Sequence, residues 1–151
     1  MATWQHDLFL IPITKLREFY GSIPATVSEA DFYEKSWWEG VPPFDEREIE
    51  AILPQFVNRE GEALKGWFGS DLGDRFSITY SDDEQSIAEV LLRIDLTGDA
   101  LKIRSFVQQV ADLAKRNGWT FLATSGHVVP AEADAILKEL ELNPTDVHRV
   151  L

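Results

Sequence analysis

The sequence predicts an α+β domain: a mixed, mainly antiparallel sheet of four to five strands with two main helices packed on one face. Three observations carry that expectation. Residues 76–96 hold two runs of period-two alternation joined by a polar turn. Ile103, Phe106, Val107, Val110, Leu113 and Ala114 recur at helical spacing with charges opposite. Near the start, Leu8-Phe9-Leu10-Ile11 reads as a strand covered on both faces.

Taken in order, the first strand spans residues 4–11 and ends at Pro12. Residues 14–20 have room for a short helix, which Gly21 and Pro24 interrupt. Ser28-Glu29-Ala30-Asp31 resembles a helix start, but the run gives way to the loop-like stretch 36–43. Asp45 with Glu48 three residues on makes a capping box, Phe44 and Ile49 are spaced as a hydrophobic staple, and Pro54 ends the helix they predict. Residues 55–75 carry four glycines around Trp67-Phe68 and give no clear period. Phe76, Ile78 and Tyr80, then Val90, Leu92, Ile94 and Leu96, form the hairpin.

The long helix that follows ends in Lys115-Arg116, which oppose the negative end of its dipole, and exits through Asn117-Gly118. Residues 119–123 read as a strand, so strand, helix and strand imply a right-handed crossover and a parallel pair somewhere in the sheet. A split β-α-β arrangement is compatible with this order. Residues 127–129 add a short strand, and Pro130 opens a helix to about Leu140 with Ala133, Ile136, Leu137 and Leu140 inward. Asn143-Pro144 suits a final turn. At 151 residues the chain fits one domain, 1–151, with an irregular, aromatic-rich and acidic stretch at 1–75 and a ββαβα stretch at 76–151.

With no cysteine, disulfides, thiolate metal sites and cysteine nucleophiles are excluded. The first residues lack a basic segment followed by an apolar run, so no signal peptide or membrane span is expected and a cytoplasmic location is. The net charge of −12 repels nucleic-acid phosphates and anionic lipid, leaving a basic protein as the favoured kind of partner. Residues 41–86 hold 11 acidic and 4 basic side chains, so more than half of the excess charge lies in under a third of the chain.

No residue set is spaced for catalysis. His6, His127 and His148 are dispersed, and none pairs at ligand spacing with another His, Asp or Glu. Ser125-Gly126-His127 lacks the nucleophile elbow and reads as a turn. The pairs Asp71/Asp74 and Asp82/Asp83/Glu84 lack the alternating ligands of a calcium loop, and no glycine pattern cradles a phosphate. No metal or cofactor is expected. An enzyme reading would rest on Asp95 and His127 alone.

One compositional feature rises above this background. Ten aromatic side chains lie between Phe19 and Phe68, in the segment with the weakest periodicity. Irregular segments run over surfaces, and interfaces concentrate aromatic rings at their centres. In Trp37-Trp38 the adjacent rings project differently, which favours exposure or a pocket wall for one of them. The expected binding residues are Trp37, Trp38, Phe44, Trp67 and Phe68 as anchors, with Glu46, Glu50 and Asp71 as the acidic frame. The favoured expectation is a non-enzymatic acidic binding module that contacts a basic protein partner, as inhibitory and immunity-type proteins do. The alternatives are a small-molecule pocket lined by aromatics, and a metal-independent enzyme using carboxylates and a dispersed histidine.

Overall fold

The computed structural model describes residues 5–42, 45–70, 72–82 and 86–141. Chain order is β1 (Gln5–Pro12), α1 (Ile13–Tyr20), α2 (Glu29–Glu34), α3 (Arg47–Glu50), β2 (Gln55–Val57), β3 (Ala63–Gly69), β4 (Arg75–Tyr80), β5 (Ile87–Asp95), α4 (Ala100–Asn117), β6 (Trp119–Ala123), β7 (Val128–Val129) and α5 (Ala133–Glu141). Among the described residues the strands form one seven-stranded sheet, ordered β2-β3-β4-β5-β1-β6-β7, with every pair antiparallel.

The α+β class stands, but the sheet is larger than four to five strands and the described residues hold five helices. The extra strands are β2 and β3, in the glycine-rich stretch that gave no period. Gly66 and Gly69 sit at φ +80° and +96° within β3. Such positions need glycine and leave gaps in the alternation by which a strand is recognised.

The expected parallel pair is absent from the ladders for a topological reason. Strands β5 and β6 run the same way, joined through α4, but β1 lies hydrogen-bonded between them. The arrangement is therefore the split β-α-β form, in which the inserted strand converts one parallel contact into two antiparallel ones.

Alternation seals one face of the sheet. Leu8 and Leu10 of β1, Val90, Leu92 and Ile94 of β5, Phe76 and Ile78 of β4, and Phe121 of β6 are all buried. Helix α4 supplies the opposing apolar stripe, with Ile103, Phe106, Val107, Val110, Leu113 and Ala114 buried, and α5 packs beside it. Asp99 caps α4 by accepting from the Lys102 amide (2.8 Å), and Gly118 closes it at φ +73°. A missing N-cap of this kind costs about 1 kcal/mol.

The acidic middle departs from expectation at the first of its helices. α3 is only four residues long. Asp45 accepts from the Arg47 amide (2.9 Å) and pairs with its guanidinium, making a local turn instead of a long helix cap. Ile49 is buried and Ile52 and Leu53 pack against the core, so the apolar stripe is used as expected. The staple residue Phe44 and the Asn143-Pro144 pair lie outside the described residues.

The opposite face of the sheet is only partly covered. Across it, in register, lie Trp67, Ser77, Leu91, Phe9 and Leu122, and beside them Arg75, Arg93 and Asp7. Arg93 and Asp7 form an ion pair (2.8 Å) largely removed from solvent. Over Phe9 sits α2, whose Phe32 ring is 4.6 Å from it. Ser28 caps α2 through the Asp31 amide, as its sequence suggested.

Just ahead of α2, the segment Ala25–Val27 borders the β7 side of the sheet. Val128 donates to the Ala25 carbonyl and Val27 to that of Gly126, both at 2.8–2.9 Å. The other outer strand, β2, is three residues long and carries a register shift. Among the described residues no helix is long and apolar enough to cross a membrane.

Candidate functional site

The described residues among those expected to bind are not gathered on one exposed face. Trp37 and Trp38 are enclosed, at 6% and 2% exposure, because the two rings turn toward different neighbours. Trp37 packs edge-on against Phe19 (5.4 Å) and donates its indole N–H to the Phe32 carbonyl (3.0 Å). Trp38 packs edge-on against Trp119 (5.8 Å) and donates to the Leu10 carbonyl (3.2 Å). That carbonyl lies one residue past the last β1–β5 pair, Phe9 with Leu91, so Trp38 fills the place where the two strands part.

Phe68 is buried on the sealed face opposite Phe76. Trp67 is half-buried on the other face, with the Arg75 guanidinium 4.8 Å above its ring. Two carboxylates of the acidic middle have partners in other elements. Glu46 accepts from the Tyr80 hydroxyl (2.8 Å) and Glu48 faces Arg116 (3.6 Å). Glu50 is exposed, while Phe44 and Asp71 lie outside the described residues.

What the fold does assemble is an aromatic cleft between α2 and the partly covered sheet face. Its larger lobe, about 610 Å³, has Phe9 and Leu122 as floor and Phe32 and Tyr33 as one wall. Ser28 and Ser125 stand at its polar margin. A smaller lobe of about 170 Å³ shares Phe9, Phe32 and Tyr33 and is walled by Trp37, Trp38 and Glu89. Tyr33 stands at the junction with 75% of its surface exposed. Thus Trp37 and Trp38 do form a wall, from within the core and not as surface anchors.

The electrostatics of the cleft are uneven. Lys35 borders the smaller lobe, but its ammonium lies over the Phe19 ring at 4.8 Å. Glu89, half-buried at the other side, is pushed above its ordinary range by burial. Next to the cleft, burial and the Asp31 carboxylate that accepts its hydroxyl (2.7 Å) push the Tyr20 phenol up to about 12.

Two further groupings stand elsewhere. The buried Glu139 of α5 faces His127 Nδ1 (3.5 Å) and accepts a long hydrogen bond from Ser125 (3.4 Å). Serine and histidine thus both address the carboxylate, an arrangement that ties the β6–β7 turn to α5. Asp74 and Asp95 border a cavity of about 370 Å³ near the start of α4. There Asp74 accepts from the Asp95 amide (2.7 Å), and burial, the largest influence, raises its carboxyl. Asp95 and His127, the residues on which an enzyme reading would rest, border separate cavities. Among the described residues no group of three or more His, Asp or Glu is placed to hold a metal ion.

Sequence reasoning missed Phe9, Phe32, Tyr33 and Glu89 as members of one site. The adjacent Phe32-Tyr33 pair after a capped helix start was a usable signal for two of them. Nothing local marks Phe9 or Glu89, whose meeting depends on strand order. No family model, curated protein or solved structure matches the chain, so its function is argued from this geometry.

Proposed function

We propose that this chain is a binding domain whose recognition element is the aromatic cleft between α2 and the sheet, sized for a compact, flat ligand. The observation that carries the reading is the Phe9–Phe32–Tyr33 wall that two neighbouring cavities share, with an exposed tyrosine on it. Ligand sites are concave, mainly apolar, fall in the range of about 300–1,000 Å³ and hold a few convergent polar groups. The larger lobe falls in that size range, with aromatic side chains on its floor and wall and polar groups such as Ser28 and Ser125 along its margin. Relative to the sequence expectation, this favours the pocket over a flat acidic interface, because two of the three tryptophans that would anchor such an interface, Trp37 and Trp38, are enclosed.

Titration with indole, a neutral flat probe, tests the reading by two-dimensional NMR. Shifts are expected at the Trp37 and Trp38 indole N–H groups and at the Phe9, Tyr33 and Leu122 amides. Perturbations confined to Trp67 or to the Asp74–Asp95 cavity would locate binding elsewhere and overturn it.

A further inference from the structure

We infer that the ligand of this cleft carries a positive charge, an organic ammonium that seats its charge between Glu89 and the aromatic walls of the smaller lobe. The inference rests on the reading of the cleft as a binding site and specifies its ligand class.

The first support is Glu89 itself. Strand alternation turns it to the cleft side of β5, since Val90, Leu92 and Ile94 take the sealed face and Glu89 shares the other face with Leu91 and Arg93. Among the described residues no Lys, Arg or His lies within ion-pair distance of it. Burial alone accounts for its raised carboxyl, so no nearby cation offsets the loss of water. A bound cation would supply that missing partner.

The second support is the wall chemistry. Ring faces carry negative electrostatic potential, and tryptophan is the strongest of them as a cation acceptor. Tyr33 offers an exposed ring to the lobe that holds Glu89, and Trp37 and Trp38 line that lobe from within the core. A neutral apolar ligand would use the rings but leave the carboxylate still short of water. An anion would meet both the carboxylate and the ring faces with repulsion.

Lys35 is the opposing charge. It already has acceptors of its own, standing 4.8 Å over Phe19 and 5.9 Å from the Tyr20 ring centre. With Glu29 lining the larger lobe, the two neighbouring lobes carry two carboxylates against this one ammonium. At long range the net charge of −12 also draws cations toward the molecule.

The test compares choline with its isosteric neutral alcohol, in which carbon replaces nitrogen, on the unmodified protein, reading the Trp37 and Trp38 indole signals. Choline should bind about tenfold more tightly, the scale expected of a cation held by rings and a half-buried carboxylate. In Glu89→Gln, checked for an unchanged amide spectrum, that preference should fall below about threefold, with the alcohol's affinity unaltered. Equal affinities for the two probes, with indole still bound in the cleft, would overturn the cationic ligand and leave the cleft as a neutral site. If neither probe nor indole moves a cleft resonance, both readings fall.

Discussion

Replacing Trp38 with Phe tests whether the indole holds the parting strands together or merely decorates them. Phenylalanine keeps most of the apolar area, so two losses dominate. The Leu10 carbonyl, in a buried residue, loses the indole donor at 3.2 Å, and a buried acceptor left short of a partner costs about 1–3 kcal/mol. The missing five-membered ring leaves a void of roughly 40 Å³, worth about 1 kcal/mol at the usual cavity penalty. Weakening of the edge-on contact with Trp119 adds to both. The expected total is about 3 kcal/mol, which for a chain of this size lowers Tm by roughly 6–12 °C. Urea denaturation followed by circular dichroism reads it directly, with an unchanged slope showing that the folded state is otherwise intact. Trp67→Phe is the internal control: that ring is half-buried under Arg75, and its change should cost about 1 kcal/mol. A Trp38→Phe cost below about 0.5 kcal/mol, or one smaller than the control, refutes the assignment of Trp38 as the seal between β1 and β5.

Three other outcomes follow from particular contacts. Gly69→Ala should cost at least about 3 kcal/mol, because φ is +96° and the added Cβ would overlap the Asp74 carbonyl; Gly61→Ala, at φ +83° with open space around it, should cost about 1 kcal/mol, and thermal melts that reverse this order would disprove the close approach. Glu89→Gln should raise stability at neutral pH. The folded-state carboxyl is raised, so its neutral form stabilises fully below the unfolded value and that contribution is lost as pH rises through the folded one. The advantage of the variant should therefore shrink on acidification; a gap that widens contradicts the burial of Glu89. Alkaline absorbance titration should show one tyrosine ionising near 12, and Asp31→Asn should lower that midpoint; a midpoint left in place would assign the shift to burial alone.

Where local rules and long-range packing agree, the fold was readable from the chain. Helix α4 shows its stripe, its basic last turn and its glycine exit within one continuous segment, and it forms over Ala100–Asn117 with those features in place. The β4–β5 hairpin is likewise local, and alternation alone identifies its sealed residues. Strand β3 was hidden because Gly66 and Gly69 occupy backbone positions that interrupt the pattern. The candidate site was legible only in composition. The clustered aromatics include Phe32, Trp37 and Trp38, which line the cleft. Which rings are enclosed depends on Trp38 meeting Leu10 and Trp119 across 28 and 81 positions, a pairing no local window contains. The link between Glu139, His127 and Ser125 was invisible for the same reason: a strand turn and a helix had to be placed before a carboxylate could be seen between them.

The central place of β1 constrains how the molecule is made. Gln5 pairs with Asp95 and Leu8 with Ala123, so β1 waits for partners translated some ninety to over a hundred residues later. Until then its apolar run Leu8-Phe9-Leu10-Ile11 has neither flank bonded, and β2 to β5 can form no more than an incomplete meander. Vectorial synthesis therefore gives β1 little head start: the sheet closes only once β6 has been made, and until then the apolar run is the part most in need of shielding by chaperones.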